Sequence, residues 1–268
     1  MFSCKTYGWW PAALLLACGP VHGASDGFVI GLGAELDSED GRALSAALDI
    51  AAGSKTWLSV AVAHSHSDGL AGGSESRYAD IEVDRMFSPV GIRVGAAYWD
   101  NADVLNSIDL TGSIYLRQDA WRLSLDLERR DFDFTANGIG LSGRLRTGKR
   151  VSFFAGGMWY DYSRDVRLQQ NIDSLRFLSR SRLTLMNSLL DERWHAGMEI
   201  EFGLKSIDVG FSRWKTAVDQ GQVDSISLGF LRPLGKAADI EFRLAFDDSA
   251  NYGNSTVFSV FGYFFGGL

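Results

Sequence analysis

Cysteine is almost missing from this chain of 268 residues: there are 2, Cys4 and Cys18, and both precede Ala24. With that leading stretch removed, no thiol is left, which excludes a disulfide framework and a cysteine-ligated metal site. The rest of the chain also lacks any run of the roughly eighteen apolar residues that a membrane-crossing helix needs, so a helical inner-membrane protein is excluded. Nor is there a basic excess. The formal net charge of −7 gives no support to nucleic-acid binding, for which a basic stripe is expected.

The N-terminal stretch has a reading of its own. Met1 to Gly23 carries Lys5, an apolar run from Trp9 to Ala17, and the small-residue site Val21-His22-Gly23. This predicts a cleaved secretory leader over 1–23, too short to span a bilayer. The alternative lies in Leu15-Leu16-Ala17-Cys18, which loosely resembles a lipoprotein processing site in which Cys18 would be acylated, although the leucine directly before Ala-Cys departs from that pattern. The remainder, 24–268, is expected to be one domain, because about fourteen strands of about ten residues with their connections use roughly 240 residues.

From Phe28 onward the chain alternates. Trp121, Leu123, Leu125 and Leu127 hold one parity, and Arg122, Ser124, Asp126, Glu128 and Arg130 the other. Ile108, Leu110 and Ile114 alternate in the same way with Asp109, Thr111, Ser113 and Tyr115, and Trp194, Ala196, Met198, Ile200 and Phe202 with His195, Glu199 and Glu201. A strand with one face for hydrocarbon and one for water reads as a transmembrane β-barrel, and a soluble β-sandwich alternates too. Punctuation separates the two. Tight turns such as Gly53-Ser54, Ser88-Pro89, Gly148-Lys149, Leu204-Lys205 and Gly235-Lys236 follow even-numbered segments. Connections that are on average longer and more acidic follow the odd ones, including Asp37 to Asp40, His64 to Ser76, Asp131 to Asn137 and Asp247 to Asn254. The fold class expected is therefore all-β: a closed antiparallel transmembrane barrel of about fourteen strands, twelve being the other count, with short periplasmic turns and longer extracellular loops. Tryptophan agrees, since indole prefers a membrane interface, and Trp57, Trp99, Trp121, Trp159, Trp194 and Trp214 all fall near proposed strand ends.

The water-facing parity names the candidate site. Arg117, Arg122, Arg144 and Arg146 stand beside Asp126 and Glu128, while Glu199, Glu201, Asp208 and Glu241, with Arg243, form a more acidic set elsewhere. Facing walls of opposite sign would set a transverse field selecting hydrated solutes, and the other arrangement is a ladder of pairs filling the interior. A barrel near fourteen strands is too wide for its own side chains to fill, so a watery lumen is expected unless a segment plugs it. The longest connection, 163–191, is the candidate plug: it carries Arg164, Arg167, Arg176, Arg180 and Arg182 among leucines. Asp173-Ser174 could cap a short helix there; alternatively, the flanking strands extend beyond the membrane.

One segment hints at an enzyme. Ala63-His64-Ser65-His66-Ser67-Asp68-Gly69 resembles, over about seven residues, the His-x-Ser-Asn-Gly segment of outer-membrane phospholipase A. That resemblance implies lipid-ester hydrolysis at the barrel rim by Ser67 with His64 or His66; Asp80 or Glu82 on the next strand could orient a histidine. Here, however, serine and histidine alternate in parity, so a bulge or early exit from the strand would be needed to bring them together. Two histidines spaced by two on a strand are nonspecific for metal, and no metal site or cofactor is expected. At the C-terminus, Gly262-Tyr263-Phe264-Phe265 resembles the terminal strand that the barrel-assembly machinery recognises, although the chain ends on Leu268 rather than an aromatic residue.

In architecture and length the chain resembles the monomeric fourteen-stranded porins at the level of pattern. The resemblance implies a monomer in the bacterial outer membrane, among its lipids and lipopolysaccharide, passing small hydrophilic or charged solutes. Rim lipid hydrolysis and a noncatalytic structural or export barrel for a surface polymer are the alternatives.

Overall fold

The structure, a computed structural model, describes residues 27–67, 74–101, 105–163, 189–217, 220–251 and 253–267. The alternating segments form fourteen strands: β1 (Gly27–Asp37), β2 (Gly41–Ala51), β3 (Thr56–Ser67), β4 (Ser74–Met86), β5 (Val90–Asn101), β6 (Leu105–Arg117), β7 (Trp121–Asp131), β8 (Thr135–Thr147), β9 (Val151–Tyr162), β10 (Leu190–Phe202), β11 (Lys205–Thr216), β12 (Gln222–Pro233), β13 (Ala238–Asp248) and β14 (Ser255–Gly267). Each pairs antiparallel with its chain neighbours, and β1 closes on β14 from Gly27 opposite Gly267 to Asp37 opposite Val257. The count is fourteen, not twelve. A closed ring leaves no strand edge, so the wall's backbone donors and acceptors meet one another. One register irregularity occurs among the described pairings, a bulge in β10 between Leu190 and Glu192.

The short connections gather at one end. Gly148 and Gly203 take the left-handed conformation there, with φ of 68° and 69°, which side chains disfavour. At the other end lie the long connection before Leu190 and the segment after Ser67, but 38–40, 102–104 and 132–134 are as short as the inner turns. The expected Asp131 to Asn137 loop thus shrinks, because β8 already begins at Thr135. The candidate plug, 164–188, lies outside the described residues.

Parity fixes the faces. The apolar rows point outward and stay exposed on every side of the ring: Ile30 and Leu32, Val60 and Val62, Leu123, Leu125 and Leu127, Ile139 and Leu141, Ile226 and Leu228, Phe258 and Phe264. Trp121, Trp159 and Trp194 belong to this outer surface, the last two in an edge-on contact with centroids 4.6 Å apart. Trp99 and Trp214 differ from the interfacial expectation: their odd and even positions on β5 and β11 turn them inward, where they are buried. Axial position near a strand end was right for both; the face was not.

A cation in the apolar belt tests what the belt touches. Leu125→Arg is expected to lower the stability of the barrel refolded in lipid vesicles by about 2–4 kcal/mol, read as a lower urea midpoint, whereas the same substitution at a soluble surface would be close to neutral.

Candidate functional site

The interior collects the other parity, and its charges pair over short distances. On β4 and β5, Arg93 donates to Asp84 at 3.0 and 3.1 Å and lies 3.1 Å from Glu82. Arg130 on β7 meets Asp109 on β6 at 3.2 Å and Glu128 at 3.6 Å. Glu128 also takes Arg193 of β10 at 3.5 Å and accepts the Tyr160 hydroxyl at 2.8 Å. Arg144 and Arg146 of β8 reach over β9 to Glu199 and Glu201 of β10, the second pair at 3.0 Å. Arg243 on β13 joins Asp208 on β11 at 3.1 Å and Glu241 at 2.7 Å. Asp126 accepts hydroxyls from Ser113, Ser124 and Ser142 at 2.7–2.8 Å. Arg122 lies 3.9 Å over the Tyr115 ring, and Arg117 stands directly opposite it in register.

Several pairs skip a strand, and the strand in between shows how. The ring of Tyr115 (β6) crosses Gly91 of β5 so that its hydroxyl donates to Asp84 of β4; a Cβ at Gly91 would meet that ring at 2.0 Å. Tyr160 (β9) crosses Gly138 of β8, at 2.8 Å from a Cβ there, on its way to Glu128 of β7. Asp208 and Arg243 meet over Gly229 of β12, where a Cβ would lie 2.0 Å from the carboxylate oxygen. Each glycine is a low point in the inner wall that lets a long side chain lie flat along it. Long side chains laid flat bury their neighbours as well as themselves. Asp109 and Glu199 are 0% exposed, Trp99 1% and Arg130 2%. The inner wall is therefore thicker than the strand count alone implies.

All eleven charged residues that the sequence proposes for the lumen lie on inward rows. The structure joins Arg144 to Glu199, Arg146 to Glu201 and Arg243 to Asp208 and Glu241, while Asp126 is held by serines. The two signs thus neutralise each other locally along the wall, in place of two facing walls. Sequence reasoning missed Arg93 and Arg193, although their inward parity was legible, from Ile92 and Val94 on either side of one and Trp194 beside the other. It also missed the glycines, because their role lies in a contact between side chains of the two flanking strands.

Toward the end with the long connection, the interior turns apolar. Tyr78, Ala97 and Trp99 pack with Leu105 and Phe132. Leu105 and Phe132 pack in turn, with Phe134 and Tyr162, on Leu189 and Ala217. Tyr162 continues into a third group of Met158, Tyr160, Leu190, Trp214 and Val223. Within this region the indole N–H groups of Trp99 and Trp214 and the hydroxyls of Ser107, Ser212 and Ser225 are buried with no hydrogen-bond partner among the described residues. Each such group costs about 1–3 kcal/mol when kept from water.

The histidine segment is arranged otherwise than hydrolysis requires. β3 keeps unbroken register with β2 and β4 as far as Ser67 opposite Gly41 and Ser74. His64 is exposed on the outward face, whereas Ser65 points inward and shares a 2.6 Å hydrogen bond with Ser76. Asp80 is also inward and accepts the Tyr78 hydroxyl at 3.0 Å. The side chain of Ser67 lies outside the described residues. Among the described residues, no group of three or more His, Asp or Glu is placed to hold a metal ion.

No family model matches the chain, and no curated protein is significantly similar to it. Solved structures share its fold. The Acinetobacter baumannii outer membrane protein Omp33 superposes with a TM-score of 0.55 at 8% identity, over 90% of this chain and 99% of that one. A KdgM porin gives 0.47 at 8% identity over 88% and 98%, and Pseudomonas aeruginosa OprD gives 0.44 at 9% over 91% and 95%. The likeness to Omp33 is one of architecture, a barrel wall of the same general course.

The low points in the wall can be filled one at a time. Gly229→Val is expected to displace the Asp208–Arg243 pair and destabilise the refolded barrel by about 1–3 kcal/mol. Gly112→Ala, where a Cβ meets nothing within 4 Å, should leave the urea midpoint within about 0.5 kcal/mol of the parent. Equal midpoints for the two variants would refute the crossing role.

Proposed function

We propose that this chain is a bacterial outer-membrane channel through which small hydrophilic solutes pass passively. The observation that carries the reading is the combination of a closed ring, a continuous exposed apolar belt around its outside, and a charged interior. A soluble monomer rarely exposes an apolar patch beyond a few hundred Å², and here every strand contributes to one. Water around the barrel would make such a surface an aggregation site; hydrocarbon makes it the stable face. The fold shared with an outer membrane protein supports the same location. Outer-membrane lipids and lipopolysaccharide surround the belt, the barrel-assembly machinery inserts the chain, and the barrel works as a monomer.

The lumen charges set selectivity in this reading: Arg117, Arg122, Asp126, Glu128, Arg144, Arg146, Glu199, Glu201, Asp208, Glu241 and Arg243. Because most are already paired, the wall presents alternating dipoles more than a net charge, which suits polar solutes of either sign. A noncatalytic structural or export barrel is the second reading, favoured by the depth at which Asp109, Glu199 and Trp99 are buried. Rim lipid hydrolysis by Ser67 with His64 or His66 is the weaker one, since the continuous β3 register lacks the bulge it needs.

Planar-bilayer recording on the refolded chain from Ala24 onward separates the first two. Steady single-channel conductance is expected; silence at every voltage would favour the structural reading. Arg144→Gln with Arg146→Gln removes two positive charges beside Glu199 and Glu201, so the reversal potential in a salt gradient should move toward cation preference. An unchanged reversal potential in a folded double variant would count against selectivity by these residues.

A further inference from the structure

The connection 132–134, between β7 and β8, is short enough to be a plain hairpin turn, yet its two phenylalanines are half-buried and turned over the barrel's end. Phe132 and Phe134 stack with centroids 5.1 Å apart, and the Phe132 amide donates to the Phe134 carbonyl at 2.8 Å, folding the turn on itself. Phe132 touches both sides of the mouth. On one side it packs against the cluster of Tyr78, Ala97 and Trp99 on β4 and β5, and on the other against the cluster of Leu189 and of Ala217 just beyond β11. In a ring of fourteen, β5 and β11 stand almost opposite each other. A chain of apolar contacts through one residue therefore crosses the opening. Phe134 extends it to Tyr162, at 6.2 Å, and Tyr162 donates its hydroxyl to the Leu190 carbonyl.

We propose that the Phe132–Phe134 turn is an aromatic gate across the outer mouth, and that it sets which solutes enter the lumen by size. This rests on the channel reading above. A hydrophobic constriction stops ions and polar solutes by excluding water, without needing to close to atomic contact. The hinge is equally local. Arg130, the last inward residue of β7, is held by Asp109 and Glu128, and its guanidinium carbon lies 5.1 Å from the Phe132 ring centre. The turn thus pivots on a fixed ion-paired base, while nothing covalent ties it to the far wall. The closed arrangement also buries the Trp99 and Trp214 N–H groups, on the two sides that Phe132 bridges or adjoins, without partners among the described residues. Swinging the turn outward would admit water to those donors, so closed packing and open hydration compete.

The test is planar-bilayer recording and liposome swelling with sugars of graded size on the full chain from Ala24 onward, comparing the parent with Phe132→Ala/Phe134→Ala. Refolding is checked by heat-modifiable mobility in SDS gels. The expected result is a mean conductance or open fraction raised about twofold or more, with a larger sugar cut-off, and no such change in Phe153→Ala, whose ring faces outward on β9. Leu105→Ala, at the start of the neighbouring β6 and packed against the same two clusters as Phe132, should raise the cut-off in the same direction if the double variant fails to refold. Conductance and cut-off equal to the parent in the folded variants would overturn the gate and leave the channel reading intact. Silence in parent and variants alike would overturn the channel reading, and the gate with it.

Discussion

The constraint on which everything else depends is hydrogen-bond closure of the wall. A peptide group facing hydrocarbon has no water to turn to, so a sheet that spans a bilayer must satisfy its donors and acceptors internally. The pairing of β1 with β14 achieves this, from Gly27 opposite Gly267 to Asp37 opposite Val257. Closure then dictates the rest by parity. Once one row of a strand faces lipid, its alternate row is committed to the interior, and with it every Arg, Asp and Glu at those positions. The polar interior is thus imposed by the same alternation that makes the outside apolar.

A polar interior in a space of limited width brings its own problem, since buried charge is costly unless paired. The barrel answers it laterally. Arginines on β5, β7, β8, β10 and β13 each find carboxylates on the same strand or one to three strands away. Three contacts that skip a strand pass over a low position: Tyr115 to Asp84 over Gly91, Tyr160 to Glu128 over Gly138, and Asp208 to Arg243 over Gly229. Wall thickness, polar pairing and glycine placement are linked at these points. Adding a side chain at the low point forces the partners apart.

Much of this was legible in the sequence, and the boundary of legibility is physical. Alternation in segments such as Trp121 to Arg130 sets which side chains face which way, and the turn residues set where strands end, because both depend on neighbours along the chain. Trp99 and Trp214 mark the limit of the tryptophan argument: proximity to a strand end says nothing of the face, which follows from parity within β5 and β11. The pairing of Arg144 with Glu199 lay beyond reach because it depends on register between strands. The two residues are brought together by a connection whose length has no bearing on the register of β8, β9 and β10, and only the closed ring sets that register. The inward turn of Phe132 was less legible still, for a phenylalanine in a loop reads equally well as packing outward against lipid.

On the channel reading, the change in character along the interior bears on how the barrel would discriminate. In the ion-paired zone most charges have a partner within a few ångströms, so a passing solute would meet dipoles whose fields fall off quickly and largely cancel at the centre. Such a zone favours hydrated solutes over apolar ones and distinguishes weakly among hydrated solutes of different size. The aromatic zone at the other end has the opposite property. It offers no charge to compensate lost hydration, so what crosses it must either be small enough to keep its water or wait for the packing to part. On the channel and gate proposed above, placing the two in series would separate the tasks: chemical class along the charged wall and size at the apolar mouth. The order also protects the fold, because the apolar mouth encloses Asp109 and Arg130 from the outer side, where their mutual attraction is least weakened by bulk water.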